Sequence, residues 1–210
     1  NGTGNKPVRE VLRRAGFDDV TVVPSQENPD GHFPTCPYPN PEIRQAFEEA
    51  LKLAEGKDVD LLLATDPDCD RVGIAVNTGD DYRLMSGNEV GVLLTEYILS
   101  SMKNAGTLPK NPVIVKSFVT TSLVDRVAES YGCAIHDVLT GFKYIGEFAT
   151  NLEKKNEGYR FILGMEESYG YLSGLHARDK DAVVASLIVC EMAAYYKSQG
   201  KTLAQKMTEI

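Results

Sequence analysis

The chain has no surplus of positive charge to offer a polyanion. Its 22 Lys and Arg stand against 30 Asp and Glu, a formal net charge of −8 with a pI near 5.0. That balance excludes nucleic acid or an anionic membrane surface as the main partner, while leaving room for a local basic pocket that takes a phosphorylated metabolite. Long hydrophobic runs are also missing. No stretch approaches the roughly 20 apolar residues of a membrane span, and no signal-peptide pattern opens the sequence. Cysteine is sparse: Cys36, Cys69, Cys133 and Cys190 are scattered and form no Cys-x-x-Cys pair. Their spacing excludes a zinc site or a disulfide frame and predicts reduced thiols in a cytosolic protein.

What remains is ordinary globular composition, 42% hydrophobic and 25% charged over 210 residues, enough for one large or two small domains. Pro7 suits the first turn of a helix that carries Val8, Val11, Leu12 and Ala15 on one face and ends at Gly16. Val20 to Val23 reads as a strand, and the Pro- and Asn-rich run Ser25 to Pro41 as an ordered loop. Asn40-Pro41 predicts a cap and first turn for a helix with Ile43, Phe47, Ala50, Leu51 and Ala54 at helical spacing. Strands follow at Asp60 to Thr65 and Arg71 to Val76, with a turn at Asp80-Asp81.

The alternation then begins again. Helices are expected after Gly87-Asn88, over Ser122 to Tyr131, over Lys143 to Lys155 and over Ala182 to Lys197. Strands are expected at Val113 to Val115, Ala134 to Leu139 and Arg160 to Leu163. Strands interleaved with amphipathic helices predict two similar α/β domains, over 1–82 and 83–210, each a mixed, mostly parallel sheet covered by helices. The ends look cut: Asn1-Gly2-Thr3-Gly4 is a turn expected to follow some earlier element, and Thr202 to Ile210 is a helix broken off early. The chain thus reads as a piece of a longer protein.

Three aspartates carry the strongest chemical signal. Thr65-Asp66-Pro67-Asp68-Cys69-Asp70-Arg71 follows the apolar run Leu61 to Ala64. In extended backbone, side chains two residues apart share a side, so Asp66, Asp68 and Asp70 can converge on one centre. Clustered carboxylates repel and raise one another's pKa values. A hard cation with a taste for oxygen relieves that, and Mg²⁺ is the natural choice. A solvated acidic turn is the plainer alternative, but apolar strands on both sides pin the loop. An EF-hand fails, because Arg71 and Asn77 stand where Gly and Glu are required. A haloacid-dehalogenase-type phosphatase with Asp66 as nucleophile stays open, with Asp70 at the fifth position counting against it.

Three further stretches sit at element junctions. Gly164-Met165-Glu166-Glu167-Ser168-Tyr169-Gly170 offers carboxylates and a hydroxyl between glycines, equipment for holding vicinal sugar hydroxyls, or else an ordinary polar loop. Leu139-Thr140-Gly141-Phe142-Lys143 leads into a helix whose free N–H groups could face an anion, or is a simple cap beside a solvated lysine. His176-Ala177-Arg178-Asp179-Lys180-Asp181 is a charged turn before the last long helix.

Taken together, these motifs are similar to those of the α-D-phosphohexomutase superfamily over essentially the whole chain. Asp66 to Arg71 resembles its magnesium loop, Gly164 to Gly170 its sugar-binding loop, and Thr140 to Lys143 its Thr-Gly-x-Lys turn. Gly2-Thr3-Gly4, Pro29 to Pro34 and Pro39 to Glu42 resemble segments of its second domain. The resemblance implies a four-domain parent of which this chain supplies domains two and three. The phosphoserine loop of domain one and the phosphate loop of domain four are absent from these residues, so the piece alone is expected to be inactive and to hold Mg²⁺ loosely. The parent is expected to move a phosphoryl group between the C1 and C6 oxygens of a phosphorylated hexose through a bisphosphorylated intermediate, as a cytoplasmic intramolecular phosphotransferase.

By the same resemblance Asp66, Asp68 and Asp70 hold the metal and Arg71 steadies the phosphoryl group or the loop. Lys180 is the general acid/base, which requires a pKa lowered toward neutrality. Glu166 and Ser168 grip the sugar, Thr140 and Lys143 face the substrate, and His176 and Arg178 assist. The Glu-Glu-Ser-Tyr-Gly string is closer to glucose-type mutases than to mannose-type ones, with phosphomannomutase and phosphopentomutase as alternatives. A non-catalytic phosphosugar-binding module is the remaining alternative.

Overall fold

A computed structural model describes residues 1–79, 81–155 and 158–210. Asp80, half of the expected Asp80-Asp81 turn, lies outside the described residues.

Helix α1 (Asn5–Arg14) opens the chain, with Leu12 buried, Val8 against the core and the Glu10, Arg13 and Arg14 side chains paired on the wet face. The helix expected from Asn40-Pro41 begins later. Asn40 Oδ1 accepts the Glu42 N–H at 3.0 Å, an Asx turn that uses up the capping oxygen. Ile43 is extended, a 3₁₀ turn covers Arg44–Phe47, and α2 runs only Glu48–Ala54. The strand expected at Val20 to Val23 does not form. Val23 is extended, but the segment joins no ladder among the described residues, Val20 is exposed, and the chain turns into a 3₁₀ segment at Pro24–Gln26. Local β-propensity without a neighbouring edge makes no strand.

The first sheet has strands β1 (Leu61–Thr65), β2 (Val72–Asn77) and β3 (Tyr82–Met85) in that order, all antiparallel. This corrects the expected mostly parallel arrangement: β1 and β2 are joined by the six-residue acidic loop, too short for a crossover, so they must run in opposite directions. β3 straddles the 82/83 boundary and pairs with β2.

The second sheet has the expected mixed, mostly parallel form. Its order is β5-β4-β6-β7, with β4 (Pro112–Ser117) parallel to β5 (Ala134–Val138) and β6 (Arg160–Glu166), and β7 (Gly170–Ser173) antiparallel to β6. Helices α3 (Gly87–Asn104), α4 (Leu123–Ser130) and α5 (Phe142–Lys155) connect and cover these strands. α3 starts at a complete capping box between Ser86 and Glu89. Helix α6 (Ala182–Ser198) is capped by Asp181, and α7 (Leu203–Glu209) by Thr202.

One hydrophobic core joins both sheets. Ile74, Val76 and Met85 of the first pack with Val90, Leu93 and Leu94 of α3, Met165 and Tyr171 of the second, and Val189 and Met192 of α6. Each such side chain withdrawn from water stabilises by roughly 1.5–3 kcal/mol, so this shared layer fixes the two sheets against each other. α5 lies over a second cluster with Val113, Val115, Phe161 and Leu172. No described helix is long and apolar enough to cross a membrane.

Candidate active site

The acidic loop is organised by its first aspartate. Asp66 is 3% exposed; its Oδ1 accepts the Asp70 and Arg71 backbone N–H groups at 3.1 and 3.0 Å, and its Oδ2 accepts Arg71 Nε at 2.8 Å. Burial works to raise the Asp66 pKa, but the hydrogen bonds from Arg71 outweigh it and hold the carboxyl below its usual value. Arg71 reaches on to Glu42 at 3.1 Å. The turn is completed by Cys69 in the left-handed region at φ 62°, and the Thr3 N–H grips the Pro67 carbonyl at 2.8 Å. Burial pushes the Cys69 thiol up to about 11, so it is a neutral filler of the turn.

One ligand atom each from Asp66, Asp68 and Asp70 lies within 4.8 Å of the others, so the carboxyl groups face one centre. An oxygen-only set of this size matches a hard divalent cation, and Mg²⁺ suits it. The same geometry disfavours Asp66 as a phosphatase nucleophile, since its oxygens are buried and already accept three N–H donors.

Lys180 ties this loop to the second constellation. Its Nζ is 2.9 Å from Asp70 Oδ2 and 5.7 Å from the centre of the Phe142 ring. Its stem crosses Gly170 so closely that a Cβ there would meet Lys180 Cδ at 2.2 Å, so a side chain at 170 would displace the lysine from this position. Burial acts to lower the Lys180 pKa, but the hydrogen bond and charge of Asp70, with Asp179, more than offset it, and the net direction is upward. Asp70 moves upward too, by burial first, opposed by Lys180 and aided by Asp66. Lys180 is therefore an ammonium at neutral pH in this arrangement, the opposite direction from the depression a neutral-pH base needs.

The Gly164 to Gly170 stretch is the end of β6, a tight turn and the start of β7. Tyr169 takes φ 69°, its carbonyl accepts the Val72 N–H at 3.1 Å, and Arg71 bridges Gly170. Two turns from two sheets therefore abut directly. Glu166 is buried, and its Oε1 accepts the Gly141 N–H at 2.6 Å, which brings the Thr140 to Lys143 turn to the hairpin. Ser168 is half-buried in the turn, while Thr140 and Lys143 are exposed at the start of α5.

His176 and Arg178 do not join this group. His176 Nε2 lies 2.7 Å from Asp181 Oδ2, and Arg178 turns back to Thr150 at 2.9 Å, to Glu153 and to the Leu175 carbonyl at 2.6 Å. Both brace the 176–181 loop from behind. Glu42, named in the sequence only as the end of the Pro39 to Glu42 segment, pairs with Arg71, and Ser117 and Thr120, not named there, meet Glu167. Only the adjacency of Glu167 to Glu166 signalled the last contact. Two clefts of about 340 and 370 Å³ run along β5 and α5, lined by residues such as Tyr144, Phe148 and Tyr159, and hold none of these groups. The candidate site lies at the strand ends, outside both clefts.

An acidic loop and a carboxylate-bearing hairpin thus stand side by side at adjoining sheet ends of an α/β unit. Comparison with known proteins gives the family. The model described as Phosphoglucomutase/phosphomannomutase, alpha/beta/alpha domain II matches residues 1–79, and that for alpha/beta/alpha domain III matches residues 86–210. The chain belongs to this family, within the α-D-phosphohexomutase superfamily. It is 34% identical over 192 residues to a phosphomannomutase of Mycoplasmoides pirum, covering 91% of this chain and 34% of that one. It is 34% identical over 211 residues to a phosphoglucomutase of Staphylococcus saprophyticus, covering 100% and 38%. A phosphoribomutase of Saccharomyces cerevisiae is 38% identical over 195 residues, covering 90% and 31%. Among solved structures, one from Thermus thermophilus described as a phosphomannomutase superposes with a TM-score of 0.71 at 26% identity, covering 99% of this chain and 43% of that one. The chain thus spans about a third of the length of these curated relatives. Membership removes the haloacid-dehalogenase alternative.

Proposed function

We propose that this chain forms the metal-holding and sugar-holding units, over 1–82 and 83–210, of a mutase that moves a phosphoryl group between the C1 and C6 oxygens of a hexose. The observation that carries this reading is the Lys180 ammonium, which touches Asp70 at 2.9 Å while its stem lies on Gly170 of the hairpin. This contact supports reading the metal loop, the proton-carrying group and the sugar loop as one working surface.

Asp66, Asp68 and Asp70 would hold Mg²⁺. When bound, the cation neutralises phosphoryl oxygens as charge shifts between them. Arg71, anchored by Asp66 and Glu42, keeps the loop in shape and adds positive charge beside the phosphoryl group. Lys180 takes the proton of the sugar hydroxyl that attacks the phosphoserine, which requires Nζ to have shed its own proton first, and returns it to the sugar oxygen that leaves the phosphoryl group when the serine is rephosphorylated. Glu166 keeps an oxygen for sugar hydroxyls while Gly141 holds the other. Ser168 contributes its hydroxyl, and Thr140 and Lys143 face the ligand from the start of α5. His176 and Arg178 hold the Lys180 loop. The phosphoserine that donates the group belongs to the first domain of the parent. Glucose is the preferred sugar on the Glu-Glu-Ser-Tyr-Gly string; the names of the relatives keep mannose and ribose phosphates as the comparison set.

The test is phosphorus NMR on the full-length protein with Mg²⁺ and glucose 1-phosphate, mannose 1-phosphate or ribose 1-phosphate. Glucose 6-phosphate is expected to accumulate fastest, and Lys180→Met should slow it by about 10²- to 10⁴-fold. Wild-type turnover in that variant, or no turnover of any of the three sugars, overturns the reading.

A further inference from the structure

We infer that Glu167, which the proposed mechanism leaves unused, is the positioning residue of the sugar-holding hairpin; this deepens the reading above and rests on it. Successive residues at a strand end point to opposite sides. Glu166 accordingly takes the Gly141 N–H in the loop after β5, and Glu167 takes the loop after β4. Glu167 Oε2 accepts from Ser117 Oγ at 2.7 Å and lies 3.4 Å from Thr120 Oγ1, and the two hydroxyls are 2.8 Å apart. Adjacent carboxylates thus splint one turn to two flanking loops.

The far end of the splint is rigid. Ser117 is fully buried, and the neighbouring Lys116, 2% exposed, donates to the Thr120 carbonyl at 3.3 Å and pairs with Asp137 at 2.8 Å. Asn88 Oδ1 accepts the Thr121 N–H at 2.9 Å, which anchors the same loop to α3. A buried polar network of this kind favours one arrangement, because an alternative leaves further groups unpaired beyond Asp125 Oδ1, which lies 3.4 Å from Lys116 Nζ without a hydrogen bond. The hydroxyl-to-carboxylate bond is charge-assisted, roughly twice as strong as a neutral one, so an amide in its place is a poor substitute. Glu167 therefore fixes where Glu166 and Ser168 stand without itself touching the sugar.

Steady-state kinetics of the full-length protein on glucose 1-phosphate test this. Glu167→Gln is expected to raise KM about tenfold with kcat within about threefold, the pattern of lost uniform binding. Ser117→Ala combined with Thr120→Val should give a similar rise, and joining all three substitutions should add nothing, since they cut one contact. An unchanged KM in Glu167→Gln, or effects that multiply, overturns the inference. Amide exchange at Gly141, read in the same variants, separates this failure from failure of the mutase reading. If the wild type turns over no sugar phosphate, exchange at Gly141 at least about tenfold faster in Glu167→Gln at an unchanged thermal midpoint still supports the splint. Unchanged exchange sinks it.

Discussion

The acidic loop after β1 and the turn after β6 each reverse the chain through one left-handed non-glycine residue, Cys69 at φ 62° and Tyr169 at φ 69°. They touch along Arg71 and Gly170, yet they are held by different means. The acidic loop is organised from within, since Asp66 binds its own neighbours no more than five residues away, and Thr3, Glu42 and Lys180 then hold it from outside. The hairpin borrows its order from afar, through Glu167 to Ser117 fifty residues back and Glu166 to Gly141 twenty-five residues back. The first turn takes its shape from a carboxylate of its own, whereas the second takes it from bonds to two other loops of the second sheet.

The largest expected effect strikes the acidic loop. Asp66→Ala removes the acceptor of three N–H donors and leaves Arg71 Nε without its buried partner, at a cost of about 3 kcal/mol in chemical denaturation. The pH dependence carries the same contrast. The Asp66 pKa lies below its unfolded value of 3.8, so its contribution is complete above that pH and is lost as pH falls through the lower folded value. Asp70, shifted upward, opposes this, so the comparison is between the wild type and Asp66→Asn. The wild type should lose more stability on going from about pH 5 to pH 2 than the variant does. Parallel curves would mean that the loop is not held by this carboxylate.

A smaller effect is expected on the borrowed side. A Cβ at Gly87 would stand 2.0 Å from the Glu167 carbonyl oxygen and 2.9 Å from the Tyr169 nitrogen, backbone atoms that cannot swing aside. Gly87→Ala should therefore cost about 2 kcal/mol by overpacking, despite alanine's better helix propensity. Amide shifts should move across Glu166 to Gly170 and stay still across Asp66 to Arg71. Movement of both segments would show that the two turns are one mechanical unit.

Legibility in the sequence followed the same divide. The acidic loop could be read because its organising carboxylate bonds to near neighbours, although the aspartates converge through a tight turn, closed by the Cys69 N–H on the Asp66 carbonyl with Cys69 left-handed, and not by alternation along extended backbone. Strands β1, β2, β4, β5 and β6 and the helices α1 and α3 to α6 were legible from periodicity. Strand β3 and strand β7 were not, since Tyr82–Met85 and Gly170–Ser173 are four residues each, too short to show a pattern, and exist because a neighbouring edge accepts them. Val20 to Val23 failed for the converse reason, propensity with no edge to join. At the site, the acidic cluster was readable, while the roles of Ser117 and Thr120 depend on the parallel pairing of β4 and β6, which no local window contains.

The smallest stability effect belongs to Asp68, and it separates ligand from scaffold. Asp66 serves the fold as well as the proposed cation, whereas Asp68 is exposed and shares only the converging geometry. Asp68→Asn should change stability by no more than about 0.5 kcal/mol without metal. Adding Mg²⁺ to about a hundred times its dissociation constant should stabilise the wild type by about 2.7 kcal/mol and Asp68→Asn far less at the same concentration. Amide exchange at Gly141 should be identical in both proteins, because the hairpin is tied to β4 and β5 and not to the loop's charge. Equal Mg²⁺ stabilisation of the two would mean that Asp68 only decorates the turn, and the converging aspartates would then be a fold element and not a cradle.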